Sequence, residues 1–180
     1  MKKNAFVLLS SAAVIALISI VSCSKDNSDS SGGNSTLNVR LTDGPTNLDE
    51  VNVDIKEVNV KFNDDTSSTS GWVSMATHAG VYNLLGLQNG VDTLLATATF
   101  PQNTVKEIRF VLGTNNSIKD TLGVVYPLTI PSGSESGLKI KVSKPLTDSL
   151  TTLVIDFDAA LSVFKTGNGT YMLKPVLKIK

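Results

Sequence analysis

From Leu37 onward the sequence predicts an all-β domain, a two-sheet antiparallel β-sandwich, and three observations carry that prediction. Apolar residues recur with a period of two, which places alternate side chains on one face of a strand. Turn-forming residues punctuate these stretches at Asp43-Gly44-Pro45, Asn89-Gly90, Asn115-Asn116, Pro131 to Gly137 and Gly167-Asn168-Gly169. Helical spacing is weak throughout. About eight short strands, each with one apolar face, bury those faces best against a second sheet, as in Ig-like and prealbumin-like sandwiches.

The strands follow in order. Leu37, Val39 and Leu41 alternate with Asn38, Arg40 and Thr42. Val51, Val53 and Ile55 alternate with Asn52 and Asp54; the phase then slips at Lys56-Glu57 and resumes at Val58, Val60 and Phe62. One extra residue in a regular strand is the signature of a β-bulge. Val51, Ile55 and Val58 also fit helical spacing, but the β-branched residues favour strand. Further strands are expected over Trp72–Met75, Thr93–Phe100, Val105–Leu112, Val124–Ile130, Leu138–Val142, Thr151–Phe157 and Tyr171–Ile179. They make one domain, residues 36–180, with no internal repeat.

Two segments precede it. Residues 1–22 read as a secretory signal: Lys2 and Lys3 give a positive start, and Phe6 to Val21 is apolar apart from three serines. These 16 residues are short for a membrane span, which needs about 20. The run ends in Ile20-Val21-Ser22-Cys23, which resembles a lipobox, so Cys23 is the expected lipidation site and mature N-terminus. Two acyl chains anchor a protein stably where one is marginal. After Cys23, residues 24–35 hold no apolar side chain and cannot offset their ordering entropy by burial. Residues 23–35 therefore read as a lipidated cysteine and a flexible tether, spanning about 20 Å root-mean-square. An outer-membrane lipoprotein follows, facing the cell surface or the periplasm. Lys25-Asp26 resembles the short charged signals that send some lipoproteins to the outer face.

Composition narrows the function. Loss of Lys2 and Lys3 from 16 basic residues leaves 14 against 16 acidic ones, so no polybasic footprint for nucleic acid is present. Cys23 is the only cysteine, which rules out a disulfide framework or thiolate zinc site within the chain. No cofactor is expected.

Few residues point to chemistry. His78 is the only histidine and no Gly-x-Ser-x-Gly elbow exists, so it reads as a solvated loop residue. In Leu153-Val154-Ile155-Asp156-Phe157-Asp158 the apolar residues point one way and both aspartates the other, about 6.7 Å apart by strand rise. That spacing suits weak calcium ligation or the carboxylate pair of an inverting glycosidase. It equally suits a strand end, which is the preferred reading, so neither a metal site nor a catalytic residue is assigned. Asn63-Asp64-Asp65-Thr66 reads as a hairpin tip. Lys139, Lys141, Lys174, Lys178 and Lys180 read as edge protection, with an anion-binding face second. Trp72 and Tyr82, then Tyr126 and Tyr171, are the aromatics available to stack on a sugar, although a lone tryptophan in a sandwich is usually core. Asp92-Thr93-Leu94, Asp120-Thr121-Leu122 and Asp148-Ser149-Leu150 resemble an O-glycosylation signal of exported proteins, which makes Thr93, Thr121 and Ser149 candidate acceptors.

Several landmarks, in order, resemble a family of bacterial lipoproteins, that of domain of unknown function 4382. They are Leu41-Thr42-Asp43-Gly44-Pro45, the Val51 to Val60 strand, Trp72, Leu84-Leu85 before Asn89-Gly90, Pro131-Ser132-Gly133 with Gly137-Leu138-Lys139, Asp156-Phe157-Asp158 and Leu173-Lys174-Pro175-Val176. The match runs from about Thr36 to Lys180. One departure is Phe100-Pro101-Gln102-Asn103-Thr104, where the family often has a Gly-x-Tyr step. The resemblance implies a β-sandwich on a lipid anchor and brings no activity with it.

The expected function is a non-enzymatic, membrane-anchored domain that binds or presents a glycan or protein ligand at the cell envelope. A fimbrial subunit is the alternative, because some such subunits mature by cleavage after an arginine in or near the first strand, where Arg40 stands. A hydrolase using Asp156 and Asp158 comes third.

Overall fold

The structure is a computed structural model that describes residues 33–62, 71–131 and 137–180. The signal segment, Cys23, most of the tether, and Asp64 and Asp65 lie outside the described residues. In chain order the strands are β1 (Asn34–Thr42), β2 (Glu50–Lys61), β3 (Trp72–Ser74), β4 (Ala76–Thr77), β5 (Gly80–Asn83), β6 (Thr93–Pro101) and β7 (Thr104–Leu112). There follow β8 (Ser117–Lys119), β9 (Val125–Thr129), β10 (Leu138–Pro145), β11 (Leu150–Phe157), β12 (Val163–Lys165), β13 (Tyr171–Leu173) and β14 (Leu177–Ile179). A 3-10 turn covers Leu84–Leu87, and one short helix, α1, covers Ala159–Ser162. No helix among the described residues is long and apolar enough to cross a membrane.

The strands form two sheets. The first has the order β14-β11-β1-β6-β4; the second has the order β10-β7-β2-β8-β9-β13-β12, with β3 and β5 paired to the other edge of β2. The alternation read from the sequence is the alternation observed. Leu37, Val39 and Leu41 of β1 and Val51, Val53, Ile55, Val58 and Val60 of β2 are fully buried. They share one core with Leu95, Phe110, Ile118, Ile155 and Phe157. Burying each such side chain contributes about 1.5–3 kcal/mol, which is why the period-two pattern dominates. The slip at Lys56-Glu57 is a true register shift: β2 and β7 change register between Ile55 and Glu57.

Three expectations are corrected. The sheets are mixed, not purely antiparallel, because β1 runs parallel to β11 and β13 parallel to β9. A hairpin fixes neighbouring strands as antiparallel, but these pairs are joined through long stretches of chain that impose no such direction. The expected strand Tyr171–Ile179 is two strands, β13 and β14, in different sheets. Pro175 lacks a ladder donor and restrains Lys174, and the chain changes sheets there. The expected strand Trp72–Met75 ends at Ser74, after which β4 crosses to the first sheet, while β3 and β5 stay with β2. Buried Met75 donates its N–H to the Val58 carbonyl (3.0 Å), and Thr77 Oγ1 accepts from Val58 N–H (2.9 Å), so this corner fastens one sheet to the other.

Candidate functional site

Asp156, Asp158, Lys178 and Lys180 lie with the turn after β1 at one end of the first sheet. β1 ends at Thr42, and the chain turns through Asp43-Gly44-Pro45. Thr42 Oγ1 lies 2.9 Å from the Leu87 carbonyl and 2.8 Å from the Val91 carbonyl, and Asp43 N–H donates to Leu87 (3.0 Å). The 3-10 turn and its Asn89-Gly90 exit, with both residues at positive φ, are thereby held against the end of β1. Asp43 is buried. One carboxylate oxygen accepts from Ala159 N–H (2.9 Å) and the other from Gln88 Nε2 (3.3 Å). Burial pushes the Asp43 carboxyl up from its ordinary pKa; the bonds from Ala159, Gln88 and Gly44 oppose that, and the nearby Asp156 charge adds to it.

Asp156 and Asp158 separate into two roles. Asp156 stands in β11, opposite Thr42 and Lys178. Its Oδ2 lies 3.9 Å from Lys180 Nζ, and its Oδ1 is buried without a hydrogen-bond partner. Asp158 has left the strand and caps α1. Its Oδ1 accepts from Leu161 N–H (3.0 Å), as an N-cap aspartate does, and its Oδ2 takes the Lys178 ammonium at 2.7 Å. The Lys178 hydrogen bond, with Leu161 N–H, holds the Asp158 carboxyl below the usual carboxylate range, against the effect of burial; Asp158 in turn raises Lys178. Both oxygens of Asp158 are thus engaged, whereas Asp156 keeps one oxygen without a hydrogen bond. Among the described residues no three His, Cys, Asp or Glu side chains gather closely enough to hold a metal. A cleft of about 500 Å³ opens here, lined by Pro45, Thr46, Asn47 and Ala160.

A depressed carboxyl stabilises the fold above its unfolded pKa of about 3.9 and loses that contribution as pH falls through the lower folded value. Asp158→Asn should therefore unfold at lower denaturant than wild type at pH 7. The gap should close as pH drops below about 4. A gap constant from pH 7 to pH 2 would place the effect in the cap geometry alone.

The match to a protein-family model gives this convergence a context. Residues 34–175 match the model for Domain of unknown function (DUF4382). The chain belongs to this family. No curated protein and no solved structure matches it. The family span begins with the first residue of β1 and stops just short of β14, so it takes in Asp43, Asp156 and Asp158 but not Lys178 and Lys180.

The remaining sequence candidates lie apart from this end. His78 is exposed between β4 and β5, and its carbonyl accepts from Tyr82 Oη. Tyr82 in β5 is part-buried and packs on the core; its hydroxyl is occupied and its pKa raised by burial. Thr121 and Ser149 are exposed, whereas Thr93 is half-buried and its neighbour Asp92 is ion-paired to Arg40. Asp120 accepts from Leu122 and Val124 N–H (3.0 and 2.9 Å), which fixes a turn that projects Thr121 and an 86% exposed Leu122.

Trp72 is not core. It is half-buried at the start of β3, flanked by exposed Val73 and Ser74, with the cations of Lys61, Arg109 and Lys139 around its ring. Trp72→Ala should then cost about 1–2 kcal/mol in chemical denaturation, against about 3–5 for a buried ring. A loss above 3 kcal/mol would return it to the core.

Proposed function

We propose that this protein is an outer-membrane lipoprotein, anchored through diacylated Cys23, whose β-sandwich of Ig-like or prealbumin-like type binds or presents a ligand at the envelope and performs no reaction of its own. The observation that carries the reading is the engagement of the landmark aspartates. Asp43 holds Ala159 and Gln88, and Asp158 caps α1 and pairs with Lys178. Groups spent on joining β1, the 3-10 turn, α1 and β14 support a scaffold whose faces and loops are left for recognition. The lipobox-like Ile20-Val21-Ser22-Cys23 and the apolar-free tether support the placement. The exposed Asp-Thr-Leu turn at Thr121, then Ser149, then Thr93, are the acceptors to expect if glycans are attached.

The fimbrial alternative turns on Arg40. β1 lies between β11 and β6, so cleavage after Arg40 would take residues 34–40 out of the middle of the first sheet. One measurement on protein from cells serves both readings. Intact and N-terminal mass spectrometry should find a mature chain that starts at acylated Cys23, and Cys23→Ala should abolish detergent partitioning. A chain starting at Leu41 would replace this proposal with the fimbrial one, and unchanged partitioning of Cys23→Ala after removal of the signal segment would end the anchor.

A further inference from the structure

The step Asn-Gly occurs twice in the chain, at Asn89-Gly90 and at Asn168-Gly169, and the two are alike in exposure but unlike in bonding. All four residues are exposed, both glycines hold positive φ (+85° and +84°), and a Cβ at either would meet nothing within 4 Å. A glycine after asparagine leaves its amide nitrogen unshielded and its backbone easy to turn. At Asn168 the step is tied down. Gly169 N–H donates to the Thr166 carbonyl (3.0 Å), and Asn168 Oδ1 accepts from the hydroxyls of Thr166 and Thr170. At Asn89 neither the side-chain amide nor the Gly90 N–H makes a hydrogen bond among the described residues. The Val91 N–H, donated to the Gln88 carbonyl (3.1 Å), closes that turn.

Asn89 itself stands at φ +57°, a region disfavoured for residues that carry a Cβ. Swinging the Gly90 nitrogen toward the Asn89 side chain therefore leaves an unfavourable conformation and breaks one exposed turn bond. The chain on either side is structural. The Leu87 and Val91 carbonyls both accept from Thr42 Oγ1 (2.9 and 2.8 Å), Leu87 also accepts from Asp43 N–H, and Gln88 Nε2 donates to Asp43 (3.3 Å). A main chain one methylene longer between Gln88 and Val91 cannot keep all these bonds in register with the end of β1.

We propose that Asn89 is a site of spontaneous covalent modification, and that its conversion to isoaspartate loosens the end of β1. The Gly90 amide nitrogen attacks Asn89 Cγ. A new N–C bond forms as the bond from Cγ to the side-chain nitrogen breaks, and that nitrogen leaves as ammonia with the Gly90 proton. The product is a five-membered imide. Water then adds to one imide carbonyl. Breaking the bond from the Asn89 α-carbonyl to nitrogen routes the main chain through Cβ and Cγ, which is isoaspartate; breaking the bond from Cγ gives aspartate. Water is the sole co-reactant. This modification goes beyond the binding reading and stands without it.

The test holds the purified full chain, folded in detergent micelles, for weeks in mildly alkaline buffer. Peptide mass spectrometry, with electron-transfer fragmentation to tell isoaspartate from aspartate, should find Asn89 converted at least tenfold faster than Asn168, with isoaspartate in excess. Thr166→Ala removes one hydroxyl from Asn168 and should speed conversion there severalfold while leaving the rate at Asn89 unchanged. Asn89→Gly suits the positive φ and has no amide to lose. Its melting temperature should hold through the incubation, whereas that of wild type should fall as isoaspartate accumulates. Equal rates at the two asparagines, or a slower rate at Asn89, would overturn the site. Conversion of Asn89 in denaturant but not in the folded chain would overturn it as well, because the turn would then protect the step. Conversion at Asn89 with no fall in melting temperature would overturn the loosening of β1.

Discussion

Asp43→Ala is expected to lower the unfolding free energy by about 3 kcal/mol. The carboxylate is buried and is the acceptor for both the Ala159 backbone N–H and the Gln88 amide. Truncation leaves those donors without their acceptor, at about 1–3 kcal/mol for each that water does not reach. Asp43→Asn keeps one oxygen for Ala159 and should cost about 1 kcal/mol. The pH dependence separates charge from geometry, and its sign is opposite to that at Asp158. Burial raises the folded pKa of Asp43, so its contribution is fully present below the unfolded pKa of about 3.9 and shrinks as pH rises through the folded value. Wild type should thus gain on Asp43→Asn as pH falls toward 4. Denaturant titrations of the three proteins at pH 4 and 7 measure this. A loss below 1 kcal/mol for Asp43→Ala at both would mean that the strand end does not depend on this carboxylate.

Much of the fold is readable in the chain because burial on one face of a strand imposes an alternation that turns interrupt visibly. The bulge in β2 is legible for the same reason, since inserting one residue shifts every later apolar side chain by one. Short elements leave no such trace. β4, β8 and β12 have two or three residues each, too few to set a period, and they are held by pairing across the sheets. The parallel pairing of β1 with β11 is fixed by distant chain and has no local signal. At the site, Asp156 and Asp158 look equivalent by alternation, but the strand ends at Phe157. An aspartate before Ala159-Ala160-Leu161-Ser162 is an N-cap signal that could have shown this. Asp43 was legible only as a turn residue, because its partners Gln88 and Ala159 are 45 and 116 residues away. Arg109 gives no sequence signal at all; its place over Trp72 comes from strand register.

Gly113→Ala should cost about 3 kcal/mol or more, through space and not backbone conformation. A Cβ at Gly113 would sit 2.1 Å from Asp54 Oδ2 and 2.4 Å from Lys56 Cε, far inside contact distance. Asp54 cannot yield cheaply. It is fully buried in β2, its Oδ2 accepts from Asn115 N–H (3.2 Å), and its Oδ1 lies 3.1 Å from Lys56 Nζ. The loop after β7 is bound to the same residue by backbone as well: Gly113 N–H donates to the Asp54 carbonyl (2.8 Å), and Asn116 Oδ1 accepts from Asp54 N–H (2.8 Å). Displacing the carboxylate therefore strips a buried charge of its partners, a change that costs about 3–5 kcal/mol where one partner is removed outright. Gly80→Ala is the control, since nothing lies within 4 Å of a Cβ there; it should be neutral or stabilising by up to about 1 kcal/mol. The double variant Asp54→Ala/Gly113→Ala tests the cause. With the carboxylate gone the new methyl has room, so the double variant should be little less stable than Asp54→Ala alone, a strong departure from additivity. Additive losses in denaturant titrations would show that the Gly113 penalty lies elsewhere than in the contact with Asp54.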